Sequence, residues 1–159
     1  MKNLLLLLFC FQASLFFGQT KFSNEKLSLV NDIVHKTTRQ TVSSFMKDKG
    51  FGDAEVDEGT SEYGDLLYFE KTYNEVEVEY TTDGKIDNVV LTYGGAPNNT
   101  FIEMELRDMG FIPETSTGEW TDGKMKERKE WTKAGSKYSF ITVTIEEEKI
   151  GILGYGTKE

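Results

Sequence analysis

The side chains able to do chemistry are one histidine, one cysteine and several groups of carboxylates. His35 lies beside Val34 in a stretch of helical periodicity, with no cysteine near it. A metal ligand or a general base needs partners, and a serine triad would have to be built on this one imidazole without a serine in a nucleophile-elbow context. His35 is therefore expected to be a surface or half-buried helix residue without a catalytic role. Asp53, Glu55, Asp57 and Glu58 lie close together, as do Glu146, Glu147 and Glu148, but neither group has the Asp-x-Asp-x-Asp-Gly spacing of a calcium loop. They fit solvated strand ends and turns. No two carboxylates are held at a glycosidase-like separation. No catalytic, metal, cofactor or nucleotide motif stands out, so the expectation is a protein that is not an enzyme.

One acidic pattern is more specific. Glu75-Val76-Glu77-Val78-Glu79-Tyr80 alternates strictly, so a strand here buries one face and places three carboxylates on the other. Three like charges on one strand face repel each other unless cations or a basic partner compensate. Lys71, Lys85 and Lys129 are the candidate internal cations. Tyr73, in a turn beside Asn74, and Trp120, between Gly118 and Asp122, are the aromatic residues expected to be exposed. The predicted partner-binding set is thus Glu75, Glu77, Glu79, Tyr73 and Trp120.

The elements that must position these residues come in two similar groups. Ser44-Phe45-Met46-Lys47-Asp48-Lys49-Gly50-Phe51 returns as Met104-Glu105-Leu106-Arg107-Asp108-Met109-Gly110-Phe111, each reading as a helix end stopped by a glycine whose following Phe folds back. Upstream of the first stop, Ser23 or Asn24 can cap a helix running to Lys49, with Phe22 stapled onto Leu27 and a weak point at the β-branched Thr37-Thr38 and Thr41-Val42. Thr100 and Glu103 fit a capping box for a shorter second helix, with Phe101, Ile102, Met104, Leu106 and Met109 for its buried side.

Strands are expected at Ala54 to Glu58, Asp65 to Lys71, Glu75 to Thr81 and Lys85 to Tyr93, then at Phe111 to Trp120, Lys124 to Lys133, Lys137 to Glu146 and Lys149 to Tyr155. Asp83-Gly84 predicts a type I′ hairpin. Leu66-Leu67-Tyr68-Phe69, apolar on both faces, predicts a central strand covered on both sides. The fold class is α+β: a duplicated helix-plus-four-stranded antiparallel meander, helices on one side of the sheet, with repeats at 20–95 and 96–159.

Residues 1–19 have the form of a secretory signal peptide: Lys2, an apolar run Leu4 to Phe17, then a polar turn after Gly18. Its removal takes one Lys and Cys10, leaving 17 basic against 27 acidic side chains, a formal charge of −10, and no thiol for a disulfide, nucleophile or metal site. Such acidity argues against nucleic acid and anionic membrane as partners, and no membrane span is expected after signal removal. This order of elements, with its strand-Asp-Gly-Lys-strand hairpin, resembles the secreted tandem proteins of the β-lactamase-inhibitor and PepSY-like type. The resemblance implies an α+β architecture; it brings no binding motif with it, and the stabilising cysteines of the inhibitor family are absent here. The sequence thus predicts an exported bacterial protein, periplasmic or secreted, that binds without catalysis: an inhibitor or interaction module for a protein partner, a basic one on charge grounds. The alternative is a small-molecule or glycan-binding domain with a pocket between helices and sheet.

Overall fold

Apolar residues that alternate along the inner strands, as in Val76-Val78-Tyr80 and Val89-Leu91-Tyr93, give the sheet one heavily buried face. The computed structural model describes residues 21–60, 64–95, 98–119 and 125–158. Among these lie helices α1 (Glu25–Lys36), α2 (Val42–Asp48) and α3 (Asn98–Asp108). Strands β1 (Glu55–Asp57), β2 (Leu66–Lys71), β3 (Asn74–Tyr80) and β4 (Ile86–Gly94) precede α3; β5 (Ile112–Glu119), β6 (Met125–Thr132), β7 (Tyr138–Ile145) and β8 (Ile150–Thr157) follow it. All eight strands form one antiparallel sheet in the order β1-β2-β3-β4-β8-β7-β6-β5. The last strand of each group therefore meets the other at the centre, with Leu91 opposite Leu153, Tyr93 opposite Gly151 and Val89 opposite Tyr155. The fold is α+β.

The expected long first helix is two helices. Asn24 caps α1, its side-chain oxygen accepting from the Lys26 and Leu27 amides, and the Glu105 carboxylate of α3 accepts from the Ser23 and Asn24 amides at 2.5 and 2.8 Å. At the other end Thr37 turns to extended backbone while its hydroxyl donates to the Ile33 carbonyl. The Thr41 hydroxyl accepts from the Thr38 amide. Threonines whose side chains satisfy backbone groups compete with a continuous helix, which is why the break falls here.

Both glycine stops are left-handed, Gly50 at φ 82° and Gly110 at φ 83°. The Phe51 amide returns to the Met46 carbonyl and the Phe111 amide to that of Leu106. A lysine closes each helix end: Lys71 donates to the Lys49 carbonyl at 2.7 Å and lies over the Phe51 ring, and Lys133 donates to the Met109 carbonyl at 2.8 Å and lies over Phe111.

One core cluster joins the helices to one face of the sheet, through Leu27, Val30 and Ile33 of α1, Val42 and Met46 of α2, Ile102 and Leu106 of α3, and Phe69, Val76, Leu91, Trp131 and Leu153. Gly151 is required by close packing at its centre, since a Cβ there would come within 2.5 Å of the Tyr93 ring. On the opposite face Val143, Ile145 and Ile152 form a second, smaller cluster with Val90, Ile141 and Ile150.

Several local expectations are corrected. Leu66–Lys71 lies next to the edge strand and is buried on one face only, through Leu67 and Phe69. In the β3–β4 turn only Gly84 has positive φ, so the turn closes over three residues with a glycine bulge instead of as type I′. Because α3 begins at Asn98, Thr100 lies within the helix, and the Glu103 carboxylate goes to Lys129 and Thr142. Of its predicted buried side, Phe101 is 65% and Met104 56% exposed, because the stripe facing the core runs through Ile102 and Leu106, one turn apart.

Candidate functional site

The candidate site grows from the pleat of β3. Its period of two sends Val76, Val78 and Tyr80 into the core and leaves Glu75, Glu77 and Glu79 on the face away from the helices. The antiparallel register then fixes what surrounds them. Glu70 lies directly opposite Glu75, Tyr68 opposite Glu77, and Leu66 opposite Glu79. One strand further out, Glu55 pairs with Tyr68 and Asp57 with Leu66. Side chains directly opposite on adjacent strands share a face. Six carboxylates, from Glu55, Asp57, Glu70, Glu75, Glu77 and Glu79, therefore surround the phenol of Tyr68 on one side of β1–β3.

The titration behaviour of the two central groups reflects this crowding. Burial first, then the charges of Glu75 and Glu79, raise the Glu77 pKa above its ordinary value. Burial and the carboxylates of Glu77, Asp57, Glu75 and Glu55 likewise push Tyr68 upward. Both shifts mean that ionisation on this face is opposed by its own neighbours.

The lysines expected to compensate the ladder are engaged elsewhere. Lys71 closes α2, Lys85 pairs with Asp83 at 2.5 Å in its own turn, and Lys129 pairs with Glu103 of α3 at 2.9 Å. In each case the acceptor is nearer than the ladder, and a short-range acceptor wins over a diffuse negative field. Among the described residues, none of the six carboxylates forms an ion pair.

Tyr73 is 83% exposed at the tip of the β2–β3 hairpin. The preceding Thr72 holds φ at 54°, a conformation rare for a β-branched residue, and this two-residue turn leaves the Tyr73 ring outside the core. Trp120 lies outside the described residues, as does the apolar leader. The other acidic groups fall away from the face: Asp53 pairs with Lys47 at 3.4 Å, and Glu146, Glu147 and Glu148 occupy the β7–β8 turn. The contributions of Glu55, Asp57 and Glu70 were missed from sequence, although the Glu70–Glu75 pairing follows once Thr72-Tyr73 is taken as a two-residue turn.

Among the described residues, His35 has no carboxylate bonded to it. Its Nε2 is 2.9 Å from the Tyr155 hydroxyl, and its ring stands edge-on to Tyr138 at 4.9 Å. Burial and Lys137 lower its pKa, with Asp32 opposing. Among the described residues, no group of three or more histidine, aspartate or glutamate side chains is placed to hold a metal ion, and no helix is long and apolar enough to cross a membrane. In comparisons with known proteins the chain matches no family model, no curated protein and no solved structure.

Proposed function

We propose that this is an exported, non-enzymatic binding protein that engages a basic protein partner through the β1–β3 face, as an inhibitor or interaction module. The observation that carries this reading is the group of six carboxylates that form no ion pair among the described residues, set around Tyr68 and next to the exposed Tyr73. Folding alone would be served as well by Thr or Gln at positions 75, 77 and 79, which keep β propensity without mutual repulsion. A cationic patch would relieve that repulsion on docking and would be steered toward it from a distance. Tyr68 and Tyr73 supply amphipathic rings of the type enriched at protein interfaces.

We further infer that the scaffold is a duplicated helix-plus-four-strand unit. Support comes from the matched helix stops at Gly50 and Gly110, closed by Lys71 at the end of β2 and by Lys133 directly after β6, and from the meeting of the two groups at β4 and β8. On this reading the acidic face belongs to the first unit alone, since β5–β6 carry mixed charges, with Arg128 and Glu130 3.8 Å apart.

The test is differential capture from the exported fraction of the native organism. Wild-type protein and a Glu75→Gln/Glu77→Gln/Glu79→Gln variant are immobilised side by side. The proposal expects a basic protein enriched on the wild type and depleted on the variant; equal enrichment on both would remove the face from the function.

A further inference from the structure

An open sheet has two edge strands, whose outward N–H and C=O groups invite pairing with another chain. The two edges of this sheet differ. β1 is three residues long and its end residues, Glu55 and Asp57, are both acidic; brevity and charge are common ways of closing an edge. At the other end β5 runs for eight residues, Ile112–Glu119, and pairs with β6 residue for residue without a register shift. Among the described residues no strand lies along its other side. It carries no lysine or arginine, and Ile112, Glu114, Thr115, Ser116 and Thr117 are exposed.

Pro113 indicates which groups the open side offers. It lies opposite Trp131 and has no N–H to give, which suits a residue whose backbone turns away from β6. An antiparallel strand turns successive residues to alternate sides, so Thr115 and Thr117 also direct N–H and C=O outward, while Ile112, Glu114 and Ser116 turn theirs to β6. Thr115-Ser116-Thr117 reads the same in both directions. A two-fold axis at Ser116 would set each Thr115 opposite Thr117 of a second copy and each Glu114 opposite Gly118, so no carboxylate would face another. Charge favours this edge as well. Alongside it β6 carries Lys126, Arg128 and Lys129 against Glu127 and Glu130, whereas a pairing through β1 would bring two six-carboxylate faces together.

We propose that β5 is a self-association edge: it pairs antiparallel with β5 of a second copy about a two-fold axis at Ser116, joining the two sheets into one. Thr115 and Thr117 exchange backbone hydrogen bonds with Thr117 and Thr115 of the second copy, and the facing threonines form a favourable cross-strand pair. The same patch serves both subunits, as a two-fold contact requires. Pro113 can accept at its carbonyl but cannot donate, so the pairing weakens there. One strand of about 27 Å makes an interface below the standard size, and the dimer is correspondingly weak, with a dissociation constant on the order of micromolar to millimolar. β2 and β5 are six strand spacings apart, so the dimer holds its two acidic faces at opposite ends, on the order of 60 Å from each other along the sheet. The pairing does not depend on what those faces bind.

The test combines analytical ultracentrifugation from about 10 μM to about 1 mM with amide hydrogen exchange of the 15N-labelled protein at both ends of that range. The wild type should pass from monomer to dimer as concentration rises. The Thr115 and Thr117 amides should exchange several-fold more slowly in the dimer, while that of Ser116, already turned to β6, should change little. Thr115→Pro removes one outward N–H at an exposed edge position and should abolish the dimer; Val56→Pro, at the opposite edge, should leave it intact. The exchange pattern is read on the wild type, so the test stays decisive if Thr115→Pro does not fold. A protein monomeric at every concentration, a dimer whose Thr115 and Thr117 amides exchange as fast as in the monomer, or a dimer lost on Val56→Pro and kept on Thr115→Pro would each overturn the proposal.

Discussion

Replacing Glu77 with Gln should stabilise the protein near neutral pH, although it removes a charge from a well-formed strand. Glu77 has Glu75 and Glu79 two residues away on the same strand face, a spacing of about 6.7 Å. In water at about 0.15 M salt, the screened repulsion from each neighbour is about 0.3 kcal/mol, or about 0.5 kcal/mol from both. Partial burial of Glu77 lowers the effective dielectric and adds a desolvation cost, bringing the expected gain to about 1 kcal/mol. The pH dependence has a definite sign. The folded-state pKa is raised above the ordinary 4.5, so the folded protein binds more protons than the unfolded chain between those two values. The penalty is therefore complete above the folded pKa and disappears as pH falls through 4.5. Urea denaturation of wild type and Glu77→Gln should show the variant more stable at about pH 7, with the difference vanishing near about pH 4 and shrinking in about 1 M NaCl. A variant no more stable than wild type at neutral pH, or a gain independent of pH and salt, would refute the claim that the face is uncompensated.

Three further outcomes follow from the packing. Gly151→Ala should cost about 1 to 3 kcal/mol, because its Cβ would press on the Tyr93 ring in the middle of the sheet; a thermal midpoint equal to wild type would contradict this. Gly50→Val and Gly110→Val should each lose about 1 to 3 kcal/mol in chemical denaturation from forcing a β-branched residue to positive φ. Gly50 should be the more sensitive, since its Cβ would lie 3.3 Å from the Lys71 ammonium, against 3.9 Å from Lys133 at Gly110. For His35, burial lowers the folded pKa below 6.5, so the unfolded chain binds the extra proton and stability falls as pH drops through 6.5 toward the folded value. Comparing wild type with His35→Gln at about pH 7.5 and about pH 5 isolates that slope, which the variant should lack.

Much of the architecture was legible because its signals are local. The alternation of Glu75 to Tyr80 gives β3 to within a residue at each end, and Gly50 and Gly110 mark both helix ends through a backbone conformation that other residues resist. The threonines after Lys36 marked the weak point of the first helix, though their hydroxyl bonds turn a weak point into a full break. What sequence could not show is set by long-range pairing. The meeting of β4 with β8 depends on which strand edges remain open after each meander forms, and that choice leaves no periodic trace. For the same reason Leu66 to Phe69 looked central, while β2 in fact borders the short edge strand β1.

The candidate site divides in the same way. The orientation of Glu75, Glu77 and Glu79 follows from period two, whereas their lack of cations depends on where Lys71, Lys85 and Lys129 find acceptors in the folded chain.

The most direct test of the acidic-face account is the association rate of a captured basic partner, measured by surface plasmon resonance across a salt series for wild type and for Glu75→Gln/Glu77→Gln/Glu79→Gln. The account predicts that the wild-type rate falls steeply between about 0.05 and 0.5 M salt, as screening shortens the reach of the face from about 14 to about 4 Å. The variant should associate at least about ten-fold more slowly at the lowest salt, with a flatter salt dependence and a smaller change in dissociation rate. Identical association rates for the two proteins at every salt concentration would contradict it.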